Sequence, residues 1–255
     1  HPAKHHNSNE YYPMLAKALG RDAIYFDYTV SVEEALGDAK YLNKFDVLLL
    51  YANHGTIQPH QWKNLKNYVE NGGGFVPVHC ASWCFGNEPE FDQLVGGRFK
   101  SHQGAIFSAR VTDSKHPAMN DVKAFEAWDE TYFHTNHNPK NRTVLMVRDA
   151  MKGDPHTKPE PWTWVRTQGK GRIFYTASGH DARVWNHAGF HQLLKSGILW
   201  AAGESAQTRY HAFLESRAPL KYVKRDNIPN YEKRPEPLPY QLPLSATESM
   251  KYTQA

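Results

Sequence analysis

Apolar residues recur at helical spacing over Tyr11–Leu19, around Val32–Ala39 and again over Gln58–Glu70, where Trp62, Leu65, Tyr68 and Val69 share one face. Gly20 closes the first block and Asn71-Gly72-Gly73-Gly74 the third. Between these blocks lie short extended patterns at Ala23–Tyr28, Phe45–Tyr51 and Phe75–Val78. The second has an uninterrupted apolar centre, Val47–Tyr51, the signature of a strand buried on both faces in the middle of a parallel sheet. Alternation of helix and strand with short connections implies right-handed crossovers and a doubly wound sheet with helices on both faces.

From Ala105 the pattern shortens. Strands are expected at Ala105–Val111, Ala124–Trp128, Thr143–Arg148, Pro161–Arg166 and Gly171–Thr176, and a helix at His187–Ala202. Beyond Gly203 the composition changes, and six of the sixteen prolines fall between Pro219 and Pro243 in polar, charged surroundings. This divides the chain into a core over residues 1–203 and an extended Pro-rich arm over 204–255. No internal repeat is present.

Composition narrows the picture. With 255 residues, 40% hydrophobic and 13% aromatic, the chain can bury a sizeable core, which excludes a disordered or collagen-like polymer. A net charge of +4 without a Lys/Arg run argues against nucleic acid. The longest apolar stretch, Val47–Ala52, falls far short of the roughly 18 residues of a membrane span. Cys80 and Cys84, four positions apart, do not make a disulfide scaffold. The fifteen histidines are the unusual feature.

In an open parallel sheet, ligands bind beyond the carboxyl ends of the strands, so polar residues just after apolar runs are the first candidates. Val76–Ser82 runs a strand into His79 and Cys80 with small residues behind them, the outline of a nucleophile elbow. Phe125–His134 places Asp129 and Glu130 at a strand end, with Tyr132, His134 and His137 after them. Adjacent strand residues face opposite ways, so one of the two carboxylates faces a cleft and the other is structural. Phe174–Asp181 ends a strand in a small-residue turn carrying His180 and Asp181, with Gly179 suited to unusual backbone angles. The amino-terminal histidines, including His1, His5 and His6, join His54 and His102 as imidazoles that separate loops could bring together around a metal. No HExxH, paired CxxC or Gly-rich phosphate fingerprint is present. His116, His156, His187, His191 and His211 are expected at the surface or in supporting hydrogen bonds.

The runs GGGFVPVHCASWCF, FKSHQGAIF, HPAM, FEAWDETYFHT, EPWTWVRTQGKGRIFYTASGHD and GFHQLLKSGILWAAG resemble the ThuA-like, trehalose-utilisation family of the class I glutamine amidotransferase-like superfamily. The resemblance covers residues 1 to about 203 and implies a flavodoxin-like sheet. The family normally begins with a strand ending in a Gly-His turn, and this chain begins at His1, after that position. The tail from Lys221 resembles the junction to a sugar-dehydrogenase-like propeller and haem c region, which implies either a module of a longer, periplasmic or exported redox protein or a stand-alone relative that keeps the junction sequence. Amidotransferase relatives use an elbow Cys. Here His79 holds that place and Cys80 follows it, so glutaminase chemistry is disfavoured.

Three functional readings follow. The first is an enzyme acting on an oxidised glycoside or a disaccharide such as a trehalose derivative, the substrate class implied by the resemblance. His79, Glu130, His180 and Asp181 are its catalytic candidates, and a divalent Zn, Mn or Fe would be held by His79, His180, Glu130 and His134. His5, His6, His102, Asp129 and Tyr132 are the candidate substrate contacts. The second is a noncatalytic sugar-binding or docking module using aromatic faces such as Trp83, Trp128, Trp162, Trp164 and Trp185. The third is a Cys80-dependent amidotransferase.

Overall fold

The computed structural model describes residues 5–217. His1, most of the expected Pro-rich arm and the junction-like sequence from Lys221 lie outside the described residues.

Helix α1 (Ser8–Gly20) buries Tyr11, Leu15 and Leu19, one helical face, and carries Pro13 inside it. The expected second helix is two short ones, α2 (Val32–Leu36) and α3 (Ala39–Leu42), because Ser31 and Asp38 each cap a new start around Gly37. Strand β1 (Val47–Leu50) leads to α4 (Pro59–Glu70), which starts with a Gln58–Gln61 capping box and Pro59 in its first turn. Strand β2 (Gly74–Pro77) is fully buried. It runs into a 3-10 turn at His79–Trp83 and then α5 (Pro89–Val95). The strands that follow are β3 (Arg98–Ser101), β4 (Gly104–Ser108), β5 (Arg110–Val111), β6 (Glu126–Glu130), β7 (Phe133–Thr135), β8 (Arg142–Arg148), β9 (Glu160–Gln168) and β10 (Gly171–Thr176). Helix α6 (Ala182–Trp185) precedes α7 (Ala188–Ser216), whose helical run continues past the expected end after a break at Gly203, φ +83°.

The expected α/β layering is present. The main sheet has six strands in the order β1-β2-β10-β9-β8-β5. Its first half is parallel, with Leu48 opposite Phe75 and Phe75 opposite Ile173, and its second half is antiparallel through β9, β8 and β5. Two small antiparallel pairs, β3 with β7 and β4 with β6, lie outside it. The single strand expected at Ala105–Val111 is therefore two strands in different sheets.

The strand expected at Ala23–Tyr28 does not form. A strand requires a hydrogen-bonded neighbour, and among the described residues β1 pairs on one side only, with β2, so Val47–Leu50 is a half-buried edge strand and not the middle strand expected. The 25–30 segment instead runs without strand pairing along a cavity of about 200 Å³ that it lines together with Leu15, Leu36, Leu49, Leu65 and Tyr51.

The parallel half of the sheet aligns the carboxyl ends of β1, β2 and β10. The residues that follow them, Asn53, His79 and His180, thereby arrive at one end of the molecule.

Candidate metal centre

Four side chains from four separate segments converge there. His6 precedes α1, His79 follows β2, Glu130 ends β6 and His180 follows β10. One ligand atom from each lies within 4.8 Å of every other. His79 Nε2 stands 3.2 Å from Glu130 Oε2, and His180 Nδ1 stands 3.2 Å from Glu130 Oε1. His6 Nε2 stands 3.3 Å from His180 Nδ1 and 3.8 Å from Glu130 Oε2.

Each imidazole is aimed by the surrounding chain. His79 adopts φ +50°, a left-handed conformation that is costly for a side chain with a Cβ. Its Nδ1 donates to the Ala177 carbonyl at 2.6 Å, and its ring stacks on Tyr132 with centroids 4.1 Å apart. His6 Nδ1 meets Asn53 Oδ1 at 2.8 Å. The turn bearing His180 is pinned by Asp129, which accepts the backbone N–H groups of Gly179, His180 and Glu130 at 3.0, 3.1 and 2.9 Å. Tyr51 and Trp185 donate to the Gly179 carbonyl from the other side. Gly179 is required at its place, since φ is +135° and an added Cβ would lie 3.2 Å from the His79 Cβ.

These second contacts fix the tautomers. With Nδ1 of His79 and of His6 each committed to an oxygen acceptor, Nε2 is the nitrogen that each ring turns to the same point, as metal-ligating histidines do. His79 is fully buried, and burial pushes its pKa down to about 4, so the ring is neutral near pH 7. Its Nε2 has no hydrogen-bond partner of acceptable geometry despite the nearby carboxylate oxygen. A buried lone pair facing a carboxylate is unfavourable unless a cation or proton lies between them. Burial opposes ionisation of Glu130, but hydrogen bonding from the facing imidazoles, His180 first, holds the carboxyl well below the usual range. Burial also works against charge on His180, and there the Glu130 carboxylate prevails and raises the pKa.

The donor set suits a borderline divalent cation. Four ligands at about 2.0–2.1 Å in a tetrahedron stand roughly 3.3 Å apart, and three of the separations given above are 3.2–3.3 Å.

The remaining sequence candidates occupy other positions. His134 is not in this cluster. Its Nδ1 meets Glu160 at 2.9 Å and its Nε2 meets the Tyr175 hydroxyl at 3.0 Å. Asp181 caps α6 and pairs with Arg183, so its carboxylate is engaged in holding that helix. Asp129 is buried beneath the site with its oxygens committed to backbone donors, and Tyr132 lies buried against His79. His5 is exposed. His102 stands at the rim, 43% exposed, with Nδ1 3.4 Å from Glu130 Oε1. Trp128, capped by Arg183 at 3.7 Å, and the exposed Trp83 are aromatic faces outside the core, whereas Trp162, Trp164 and Trp185 are buried. Cys80 and Cys84 are both buried, and burial pushes the Cys80 thiol well above its ordinary value, so no reactive thiolate is present at the elbow. Sequence reasoning missed Asn53, Tyr175 and Glu160. Their roles depend on pairings across the fold, and no local motif marks them.

The family model described as ThuA, trehalose utilisation, matches residues 2–201. Among solved structures, a ThuA-like protein from Parabacteroides merdae superposes with a TM-score of 0.66 at 21% identity, covering 78% of this chain and 86% of its own. A ThuA-like protein from Bacteroides uniformis gives 0.64 at 20% identity, over 76% and 83%. The β-galactosidase of Bacillus circulans gives 0.54 at 18% identity, over 76% of this chain and 27% of its own. No curated protein matches. Among the described residues no helix is long and apolar enough to cross a membrane.

Proposed function

The chain belongs to the ThuA (trehalose utilisation) family, and from that premise we propose that it is a metal-dependent enzyme acting on a glycoside or disaccharide, including 3-keto derivatives. The observation that carries the reading is the convergence of His6 Nε2, His79 Nε2, His180 Nδ1 and a Glu130 oxygen, with the two Nε2 lone pairs already oriented by Asn53 and Ala177.

In this reading His6, His79, His180 and Glu130 hold a divalent zinc, manganese or iron, which when bound polarises a carbonyl or hydroxyl oxygen of the sugar. Glu130 then serves as a ligand and not as a free base, since its oxygens already face the imidazoles. Asp129 holds the His180 turn and abstracts no proton. His102, half in solvent beside the same carboxylate and with Nδ1 3.2 Å from the Gln103 carbonyl, is the imidazole placed to meet a sugar oxygen at the mouth. Trp128 offers a flat face near His180, with ring centroids 5.6 Å apart, against which a sugar ring packs.

The test is product analysis on a panel of disaccharides and 3-keto-glycosides, with metal-loaded protein and its His102→Ala variant. Turnover that needs the metal and drops at least tenfold in the variant supports the reading. Tight sugar binding with no conversion across the panel contradicts it and makes this a noncatalytic sugar-binding module.

A further inference from the structure

His134 stands outside the four-residue cluster but belongs to a buried chain of hydrogen bonds that ends on it. The Glu160 carboxylate accepts from both the backbone N–H and the Nδ1 of His134, at 3.0 and 2.9 Å. His134 Nε2 meets the Tyr175 hydroxyl at 3.0 Å. That hydroxyl lies 3.2 Å from the His79 carbonyl and 3.0 Å from Ser82 Oγ, which itself donates to the His79 carbonyl at 3.1 Å. Every member is buried, and the outer end is met by the half-exposed His156 at 3.3 Å from Glu160.

This chain grips the peptide of the strained residue. A left-handed conformation at a residue with a Cβ persists only where its surroundings over-determine it, and the His79 carbonyl is where the Tyr175 and Ser82 hydroxyls act. The Ala177 carbonyl fixes one edge of the ring, and the Ser82 hydroxyl, packed against that of Tyr175, donates to the carbonyl of the backbone from which the ring projects. The Tyr175 hydroxyl in turn is held by Nε2 of a histidine whose orientation Glu160 sets. Groups one shell outside a metal commonly act in this way, and losing one weakens metal binding by about ten- to a hundredfold.

We propose that Tyr175, backed by His134 and Glu160, is a positioning residue that fixes the left-handed turn at His79 and so aims its Nε2 at the cluster. The inference rests on the metal-centre reading for its consequence on affinity, and on the apo geometry alone for its consequence on His79.

Two measurements on Tyr175→Phe test it, with Tyr68→Phe as control. Tyr68 is likewise a buried tyrosine donating to a backbone carbonyl, that of Phe45 at 3.2 Å, but it sits on α4 away from the site. Zinc affinity by competition with a chromophoric chelator is expected to fall about ten- to a hundredfold in Tyr175→Phe and to stay within twofold in the control. Long-range 15N spectra of the metal-free proteins are expected to show a single Nδ1–H tautomer for His79 in the wild type and in Tyr68→Phe, and a mixture in Tyr175→Phe. Glu160→Gln, which keeps the shape and removes the charge, is expected to move both readouts in the same direction. Unchanged zinc affinity and an unchanged His79 tautomer in Tyr175→Phe overturn the proposal. If the wild type takes up no zinc, the metal reading fails, and the tautomer comparison by itself still decides for or against the positioning role.

Discussion

The chemistry of single residues sets two expectations. His180 carries a pKa raised by the Glu130 carboxylate, and it must give up that proton to ligate a metal. Affinity for zinc should therefore rise with pH through the His180 titration and fall below it, by about tenfold per unit for one displaced proton. His79, pushed down to about 4, adds no further proton until the solution approaches that value. Competition titrations at pH 7.5 and 5.5 check this, and an affinity flat between them contradicts it. Asp129 makes the second. Asp129→Asn cannot accept all three backbone N–H groups, so it should cost about 1–3 kcal/mol in denaturant unfolding and loosen the His180 turn. At this scale the sequence was partly readable: His79, Glu130 and His180 each follow an apolar run, where strand-end logic looks first. The division between Asp129 and Glu130 followed from strand alternation. The place of His134 was not readable, since it lies four positions past Glu130, across the two-residue connection from β6 to β7, and nothing local says which imidazole faces which carboxylate. His6, read as a substrate contact, faces the cluster because Asn53 turns it there.

Elements matter here through where they end. The parallel β1, β2 and β10 deliver Asn53, His79 and His180 to one edge, while the separate antiparallel β4–β6 pair brings Glu130 over them. The packing that stabilises β10 depends on close approach of α7 to the sheet. A Cβ on Gly197 would fall 2.6 Å from the Phe174 ring, so Gly197→Ala must push α7 away from β10. The expected cost is about 1–3 kcal/mol, read as a lower thermal midpoint with the metal affinity per folded molecule kept within a few-fold. The continuous apolar run Val47–Leu50 does form a strand, but a half-buried one at the sheet edge and not the fully covered middle strand its pattern suggests, which is β2. Ala23–Tyr28 carried the same local pattern, yet pattern alone does not supply a neighbour to pair with. The split of 105–111 between two sheets was likewise invisible, because the choice of partner strand is a tertiary matter.

For the molecule as a whole, the cluster joins segments around residues 6, 79, 130 and 180 that are far apart in the chain. A cation held there binds the folded state and not the unfolded one. At a hundred times its dissociation constant it should add about 2.7 kcal/mol, raising the midpoint by roughly 5–10 °C. Calorimetry of chelator-treated and zinc-reloaded protein checks this, and equal midpoints contradict it. The fold class and the ThuA family were legible from several ungapped blocks in order. The assembled site was not, because it is a property of the end of the sheet and of no single block.

The account stands most directly on the metal content of the purified protein, measured by elemental analysis after preparation without chelators and again after reloading with zinc, manganese or iron. It predicts about one equivalent of a divalent metal in the wild type, lost in His79→Ala and in His180→Ala. A wild-type protein that stays metal-free under every loading condition, while folded, contradicts it.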